Sequence, residues 1–252
     1  MKTAVLLPLH HGLDYVYYAA RSVMPYVDVV SVAYSSRPCY GRKVPKSCPE
    51  TEEQMEAEVL TAANDTGCKL IWNSGAFSNS KKQEKAMTEP VLDADLIIRL
   101  DADEVWDEGA VPLFIEACMN GTHANLYCPP FRHFWRSFNY ACYTPARAAR
   151  GIRRSIEEGR VNAEVPAINH FGYARTPADM AAKFPVKWER PNEGWNRWYR
   201  EVFLRWTPDQ ADTMFNLEPR PCHPFDKAHW YDKNLLPEFM RNHPYWDKEL
   251  IT

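Results

Sequence analysis

The sequence predicts an α/β fold, a mostly parallel mixed sheet with helices on both faces, followed by a loop-rich C-terminal half. Through residues 1–120, short β-branched apolar runs alternate with stretches of helical periodicity, a pattern typical of parallel β-α-β units. The chain has 20 prolines against 10 glycines, and the prolines concentrate after Pro112. Because proline stiffens irregular connections, the second half is expected to be rich in loops.

The first half is expected to contain four strands and four helices. Strands are predicted at residues 4–9, 27–34, 69–72 and 96–100 from their apolar runs. Helices are predicted from Leu13 onward, over 49–64, over 80–92 with Pro90 marking a kink or an early end, and over 111–119 with Gly121 as the stop. In the second half, Thr176-Pro177-Ala178-Asp179 predicts a short helix that opens through a capping box.

Composition excludes several classes of protein. Hydrophobic residues at 45% and charged residues at 25% match a globular protein rather than a disordered or fibrous one. The formal charge of -3 gives no overall attraction to nucleic acid or acidic membranes. Seven cysteines without a C-x-x-C pair argue against a disulfide framework and a zinc site.

The N-terminal sequence and the length of the apolar runs indicate where in the cell the protein is expected. The stretch MKTAVLLPLHHG resembles a first β-strand better than a signal peptide, and no apolar run approaches the roughly 18 residues of a membrane span. We therefore expect a cytoplasmic protein, bacterial or in a virus-infected host, without a transmembrane segment.

Asp101-Ala102-Asp103 is the most informative motif. Two carboxylates one residue apart, placed where an apolar strand ends, can turn toward the same side once the chain leaves its extended form. Oxygen ligands of this kind suit a hard divalent cation, which can in turn bridge phosphate oxygens. The turn predicts a site for Mn²⁺ or Mg²⁺ at Asp101 and Asp103.

The stretch LIIRLDADE at residues 96–104 resembles the strand and D-x-D turn of family-2-like glycosyltransferases of the GT-A fold. The stretch SKKQEKA at 80–86 resembles the G-x-x-x-Q-x-N helix start that precedes this turn in that family, with Lys85 where Asn is usual. The resemblance implies a Rossmann-like GT-A domain over 1–252. Residues 1–120 would form its nucleotide-sugar-binding half and 121–252 its acceptor-binding half.

The same resemblance implies a hexosyltransferase-like enzyme with a nucleotide sugar, of the UDP-sugar type, as donor. Asp101 would face the ribose or the metal, and Asp103 would be the main metal ligand and a catalytic residue. The nucleotide pocket would be lined by residues after the first two strands and at the start of the third helix: Pro8, His10, Ser35, Arg37, Lys82 and Gln83.

A second motif lies at residues 168–175, INHFGYAR. It resembles the H-x-G-[YW]-x-R stretch, followed by a short helix with Met and Lys, of some bacterial and viral GT-A-like proteins. A neutral imidazole can complete a carboxylate-bound metal site, so His170 is the expected third metal ligand, with His223 as the competing candidate. Arg175 is expected to neutralise diphosphate charge with its forked donors.

Glycosyl transfer with inversion needs a base for the acceptor hydroxyl, whereas retention needs another route. The sequence leaves the stereochemistry open. Glu104, Glu164 and Asp226 are the candidate bases, and each has a solvated carboxylate as its alternative explanation.

Residues 131–160 interleave aromatic side chains with arginines. Aromatic faces stack on sugars or bases, and arginines pair with phosphates. This region predicts an anionic acceptor: an acidic glycan or lipopolysaccharide core, a lipid-linked sugar, or a hydroxymethylated base in phage DNA. An amphipathic solvated helix beside a hydrophobic lid is the alternative.

Two other function classes fit parts of the sequence. Asp101 to Val105 also matches the D-x-D-x-[TV] nucleophile motif of haloacid dehalogenase-like phosphatases, although that motif normally follows the first strand. A non-catalytic protein that binds a nucleotide sugar or nucleic acid is the other alternative.

Overall fold

The computed structural model of the protein describes residues 1–37, 50–121, 124–144, 148–153, 158–187, 193–214 and 227–252, without the side chains of 184–187 and 193–195. Its strands are β1 Thr3–Leu9, β2 Val29–Ser35, β3 Lys69–Gly75, β4 Leu96–Arg99, β5 Glu104–Val105, β6 Leu126–Cys128, β7 Phe131–Trp135, β8 Tyr140–Thr144, β9 Gly151–Arg153, β10 Arg160–Asn162, β11 Ile168–Tyr173 and β12 His229–Trp230. Its α-helices are α1 Leu13–Val23, α2 Glu52–Thr66, α3 Ser80–Thr88, α4 Ala110–Asn120, α5 Pro177–Lys187 and α6 Glu193–Trp198.

The central sheet has seven strands in the order β10-β6-β9-β4-β1-β2-β3. β1 pairs in parallel with both β2 and β4, and β2 pairs in parallel with β3. β9 runs antiparallel between β4 and β6. The predicted α/β fold with a mostly parallel sheet is confirmed.

Local signals explain the helices of the first half. Thr51 caps α2 through a reciprocal capping box with Gln54, and Gly67 ends the helix in the left-handed conformation with φ 68°. Asn79 caps α3, and the helix passes at Pro90 into a 3₁₀ turn over Glu89–Val91. The predicted early end of this helix is confirmed. Residue 49, the predicted start of α2, lies outside the described residues.

The core lies on both faces of this sheet. Side chains of β1 alternate between the faces: Val5, Leu7 and Leu9 pack with apolar residues of α1, α2 and α4, while Ala4 and Leu6 pack with Met87 of α3. This two-sided burial accounts for the nearly continuous apolar sequence of β1. No helix within the described part of the chain has the length and apolar character needed to cross a membrane.

A second sheet has the order β12-β8-β7-β11-β5. β5 follows the Asp101-Ala102-Asp103 turn and pairs with β11, where His170 lies opposite Glu104. The described residues of 131–160 form β7, β8, β9 and the start of β10, so the alternative of an amphipathic helix in this region is wrong for them.

The order of the strands in the central sheet reverses next to β1. From β1, the connections through α1 and α2 lead to β2 and β3 on one side, whereas β4 pairs with the opposite side of β1. The strand order therefore reverses between β1 and β4, and ligands of open α/β sheets bind beyond the carboxyl ends of strands at such a reversal. The Asp101-Ala102-Asp103 turn lies at this position.

Candidate functional site

The Asp-Ala-Asp turn is fixed by backbone bonds to both sheets. The Leu100 N–H donates to the Leu6 carbonyl at 3.0 Å, and the Phe171 N–H donates to the Asp103 carbonyl at 2.8 Å. Within the turn, the Glu104 N–H donates to the Asp101 carbonyl at 3.1 Å. The positions of both carboxylates are therefore set by β1 on one side and β11 on the other.

Asp103 is nearly buried, with 8% of its surface exposed. Its Oδ2 accepts from Lys183 Nζ at 2.6 Å and from Arg175 Nη2 at 3.4 Å, and its Oδ1 lies 3.7 Å from His170 Nε2. Burial alone would raise the pKa of Asp103, but Lys183, His170 and Arg175 together hold that pKa well below its ordinary value. The carboxylate is thus ionised and already compensated by positive charge.

Arg175 joins this carboxylate to a second one. Its Nη1 donates to both oxygens of Asp14, at 2.6 and 2.7 Å, and its guanidinium carbon lies 5.1 Å from the centre of the Tyr15 ring. Arg175 is 1% exposed. Burial would lower its pKa, but the two carboxylates raise it, so it stays charged. Arg175 was predicted to contact diphosphate, and in this arrangement it contacts Asp14 and Asp103.

Asp101 and Glu104 share Arg150. The side chain of Asp101 is 50% exposed and accepts from Arg150 Nη2 at 3.0 Å. Glu104 is 1% exposed, and both of its oxygens accept from Arg150, Oε2 from Nε at 2.8 Å. Burial and the Asp101 charge raise the pKa of Glu104 to about 7, against the pull of Arg150. Asp101 is therefore the carboxylate of the turn that remains open to a ligand.

The His170 ring lies within hydrogen-bond distance of a second histidine, His133. Its Nδ1 lies 2.9 Å from Nδ1 of His133, whose Nε2 lies 2.9 Å from Oγ1 of Thr144. A Cβ built at Gly172 would lie 2.2 Å from the His170 ring, so glycine is needed there for the ring to lie against the backbone. The structure places His170 beside Asp103 as expected.

The carboxylates predicted to bind a metal ion are already engaged by positively charged side chains. Asp101 is engaged by Arg150, and Asp103 by Lys183 and Arg175. Across the described residues, no group of three or more His, Cys, Asp and Glu side chains is arranged to hold a metal ion, and His223 lies outside them. As arranged, the residues do not fit a divalent cation, and the role of Mn²⁺ or Mg²⁺ stays a prediction.

Three of the predicted nucleotide-pocket residues lie together at the ends of β1 and β2. His10 Nδ1 lies 2.7 Å from the Ser35 carbonyl oxygen, and Gln83 Nε2 donates to the carbonyls of Leu9 at 3.2 Å and Ala33 at 2.8 Å. Burial lowers the pKa of His10.

The other three predicted pocket residues differ in solvent exposure. Pro8 is half-buried within β1, whereas Arg37 and Lys82 are exposed. Nucleotide binding by the six residues stays a prediction.

The candidate bases differ in accessibility. Both oxygens of Glu104 are engaged by Arg150 in a buried setting, which removes them from an acceptor in this arrangement. Glu164 is exposed in the connection between β10 and β11, and Asp226 lies outside the described residues. The role of each of the three as the base stays a prediction.

Several arginines of residues 131–160 bind carbonyl or carboxylate groups of the protein itself. Arg136 is buried and donates to the Phe203 carbonyl at 2.7 Å, Arg150 pairs with the turn, and Arg153 donates to carbonyls at the end of α4. Arg160 is exposed, and Arg147 and Arg154 lie outside the described residues. Binding of an anionic acceptor by this region stays a prediction.

Sequence reasoning assigned no role to Asp14 or Lys183. Both are far from the turn in sequence, and both take part in its network of charges, Lys183 directly and Asp14 through Arg175. Asp14 follows Gly12, which has φ 137° and whose Cβ, if present, would lie 2.8 Å from the Ala102 Cβ. A glycine soon after the first strand was the sequence signal for a close approach in this loop.

Comparisons with known proteins give a likeness in structure but none in sequence. No protein-family model matches the sequence, and no curated protein matches it. Among solved structures, the crystal structure of S. aureus TarS residues 1–349 is similar with a TM-score of 0.41 and 11% identity, over 83% of this chain and 77% of that chain. The function proposed for this protein rests on its own residues.

Proposed function

We propose that this protein is a glycosyltransferase that moves a sugar from a nucleoside diphosphate sugar to a hydroxyl acceptor. The observation that carries the proposal is the position of the Asp101-Ala102-Asp103 turn at the strand-order reversal between β1 and β4. His10, Ser35 and Gln83 cluster at the carboxyl ends of the neighbouring strands. Donor binding across these strand ends follows the general rule for open α/β sheets.

The side chains at the turn suit a ligand that carries both hydroxyls and negative charge. Asp101 is half exposed, so its carboxylate can accept from a ribose hydroxyl. Arg150 and Lys183 have side chains that are 12% and 17% exposed, and their charges lie within the same network. Fixed positive charge near a departing diphosphate lowers the barrier to sugar transfer because it stabilises charge that develops in the transition state.

The acceptor is proposed to bind on the half formed by residues 121–252. Tyr143 on β8 and Trp230 on β12 are exposed at 64% and 66% on the second sheet, and aromatic faces of this kind stack on sugars or bases. The hydroxyl would come from a sugar of a glycan, from a lipid-linked sugar, or from the hydroxymethyl group of a modified base in DNA. Parallel transfer assays with these three acceptor classes, using one radiolabelled donor, distinguish them.

Donor binding is tested first by calorimetry with UDP, GDP and their sugars, with and without Mn²⁺. Binding of a nucleoside diphosphate that weakens in Gln83→Leu supports the pocket. Glu53→Gln, on the solvent side of α2, is the control. If no nucleoside diphosphate binds to the folded protein, the proposal is wrong.

The same assays address the two alternatives. A phosphatase that uses Asp101 as nucleophile would release phosphate from generic phosphoesters, and a non-catalytic protein would bind the nucleotide sugar without turnover. In this structure Asp101 is paired with Arg150, and it follows the fourth strand in the chain rather than the first. Neither feature favours the phosphatase.

A further inference from the structure

Three arginines lie on the outer side of the helical segment that follows α5. This segment passes from α6 into a π-helical turn over Tyr199–Phe203, in which the Leu204 N–H donates to the Tyr199 carbonyl, five residues back, at 2.9 Å. The charged residues between 196 and 206, all of them exposed, are Arg197, Arg200, Glu201 and Arg205. Three arginines against one glutamate give this stretch a net charge of +2, in a protein whose formal charge is -3.

The charges of this stretch lie close together. Arg197 Nε donates to a Glu201 oxygen at 2.7 Å. The hydrogen bond from Arg197 and the charges of all three arginines lower the pKa of Glu201. Because residues five apart lie over each other in a π-helical turn, Arg205 follows Arg200 on the same side. One carboxylate therefore faces three guanidinium groups.

Large apolar side chains are exposed beside these arginines. Leu204 is 41% exposed and precedes Arg205 in the chain. Trp230 is 66% exposed and pairs across the strands with Tyr140, whose ring lies 5.0 Å from the ring of Trp206. Trp230 therefore lies on the same face of the second sheet as the helical segment.

The helical segment is anchored firmly to that sheet. Trp198, Phe203 and Trp206 are buried and contact the ring of Trp135 on β7. The Tyr199 hydroxyl donates to a carbonyl at the start of α5 at 2.6 Å. The arginines and the exposed apolar side chains thus extend from a fixed support, so little backbone freedom is lost when they bind a partner.

We propose that Arg197, Arg200, Leu204, Arg205 and Trp230 form a face that binds the surface of an anionic lipid membrane. Planar guanidinium groups suit lipid phosphates. Leucine and tryptophan side chains are stabilised at the boundary between headgroups and acyl chains. A nucleic acid offers the same phosphates but no apolar layer in which a leucine is buried. Membrane binding of this kind does not depend on sugar transfer.

Co-sedimentation of the unmodified protein with vesicles is the first test. Vesicles of phosphatidylcholine that contain phosphatidylglycerol are compared with vesicles of phosphatidylcholine alone, at low and at high salt. We expect binding to the anionic vesicles that weakens at high salt, because salt screens the attraction between exposed charges. Equal sedimentation with both kinds of vesicle at low salt, or with neither, shows that the proposal is wrong.

Variants test whether the arginines form the binding face. Arg200→Gln/Arg205→Gln should bind the anionic vesicles at least about tenfold more weakly, since each arginine near an anionic surface contributes roughly fivefold. The matched control is Lys69→Gln/Arg241→Gln, which removes two exposed charges on β3 and near the C-terminus and should bind as the unmodified protein does. Circular dichroism checks that both are folded. Equal binding by the two double variants overturns the proposal.

Double-stranded DNA separates the membrane from another polyanion. If the same two arginines bind DNA while the protein shows no preference for anionic vesicles, the face binds nucleic acid and the proposal is wrong.

Contact with the acyl chains has its own measurement. Lipids brominated on their acyl chains quench the fluorescence of tryptophans that reach those chains. Brominated anionic vesicles should quench part of the fluorescence of the unmodified protein, and the quenched part should fall in Trp230→Phe but not in the control Trp72→Phe, on β3. Quenching that is unchanged in Trp230→Phe contradicts the proposed face.

Discussion

Arg175 donates from a single nitrogen, Nη1, to both carboxylate oxygens of Asp14, at 2.6 and 2.7 Å. Its other terminal nitrogen reaches Asp103 at 3.4 Å. One buried guanidinium therefore joins the start of α1 to the turn after β4, where we place the donor. The charge balance of the site and the packing of the two sheets depend on the same side chain.

Removing this guanidinium should be costly for stability. Arg175→Met leaves the partly buried Asp14 and the buried Asp103 without this guanidinium, and since breaking a fully buried ion pair costs about 3–5 kcal/mol, we expect a loss of about 2–4 kcal/mol. Urea unfolding of Arg175→Met and of the exposed control Arg205→Met measures the difference. The control should stay within about 0.5 kcal/mol of the unmodified protein; a similar value for Arg175→Met would show that the network contributes little.

Gly12 should tolerate no side chain. It has φ 137°, and a Cβ would lie 2.8 Å from the Ala102 Cβ, so Gly12→Ala combines backbone strain with overpacking at about 2–5 kcal/mol in total. Gly109 is the matched control, because it has φ 76° and nothing within 4 Å of the added Cβ. Gly109→Ala should cost about 1–2 kcal/mol, from backbone strain alone.

A rescue separates the two causes at Gly12. Adding Ala102→Gly to Gly12→Ala removes the contacting methyl group and should restore part of the free energy of unfolding. If the double variant is no more stable than Gly12→Ala, contact with Ala102 is not the reason for glycine at this position.

His243 should make stability depend on pH. Its Nε2 donates to the Asp14 carbonyl at 2.8 Å, and its Nδ1 accepts from the Tyr245 N–H at 3.1 Å, so both nitrogens are used by the neutral ring. Burial lowers the pKa of His243 to about 4 from an ordinary value of 6.5. The unfolded chain binds a proton below pH 6.5 and the folded chain does not, so stability is full above that pH and falls as the pH drops toward 4.

The size of this effect can be measured. Between about pH 7.5 and pH 5, the unmodified protein should lose roughly 2 kcal/mol more of its free energy of unfolding than His243→Gln does. His229→Gln, at a side chain that is 58% exposed, is the control and should keep the full pH dependence. Identical pH profiles for the unmodified protein and His243→Gln would place the dependence elsewhere.

The first half of the fold could be predicted because its signals are local. The Thr51 capping box and the left-handed Gly67 bound α2, and apolar runs mark β1 to β4. The second half depends on contacts between distant residues. β9 is only three residues long, and it inserts beside β4 by pairing Gly151 with Ile98, which no sequence pattern of either segment indicates.

The site was predictable to a similar degree. The carboxylates of the turn and their neighbour His170 follow from strand ends and motifs, but their counter-ions do not. Lys183 lies on the helix that Thr176 caps by accepting from the Asp179 N–H, and its placement against Asp103 requires β11 to pair with β5 and carry that helix to the turn. Such pairing is set by the packing of the whole chain.

The central claim is sugar transfer at the Asp101-Ala102-Asp103 turn, and its most direct test is the release of nucleoside diphosphate from a panel of nucleotide sugars. The assay compares the unmodified protein with Asp101→Asn and the control Glu53→Gln, each with and without EDTA. The account predicts turnover of at least one nucleotide sugar that falls by about a hundredfold or more in Asp101→Asn and is unchanged in the control. Turnover that is equal in all three proteins would contradict it.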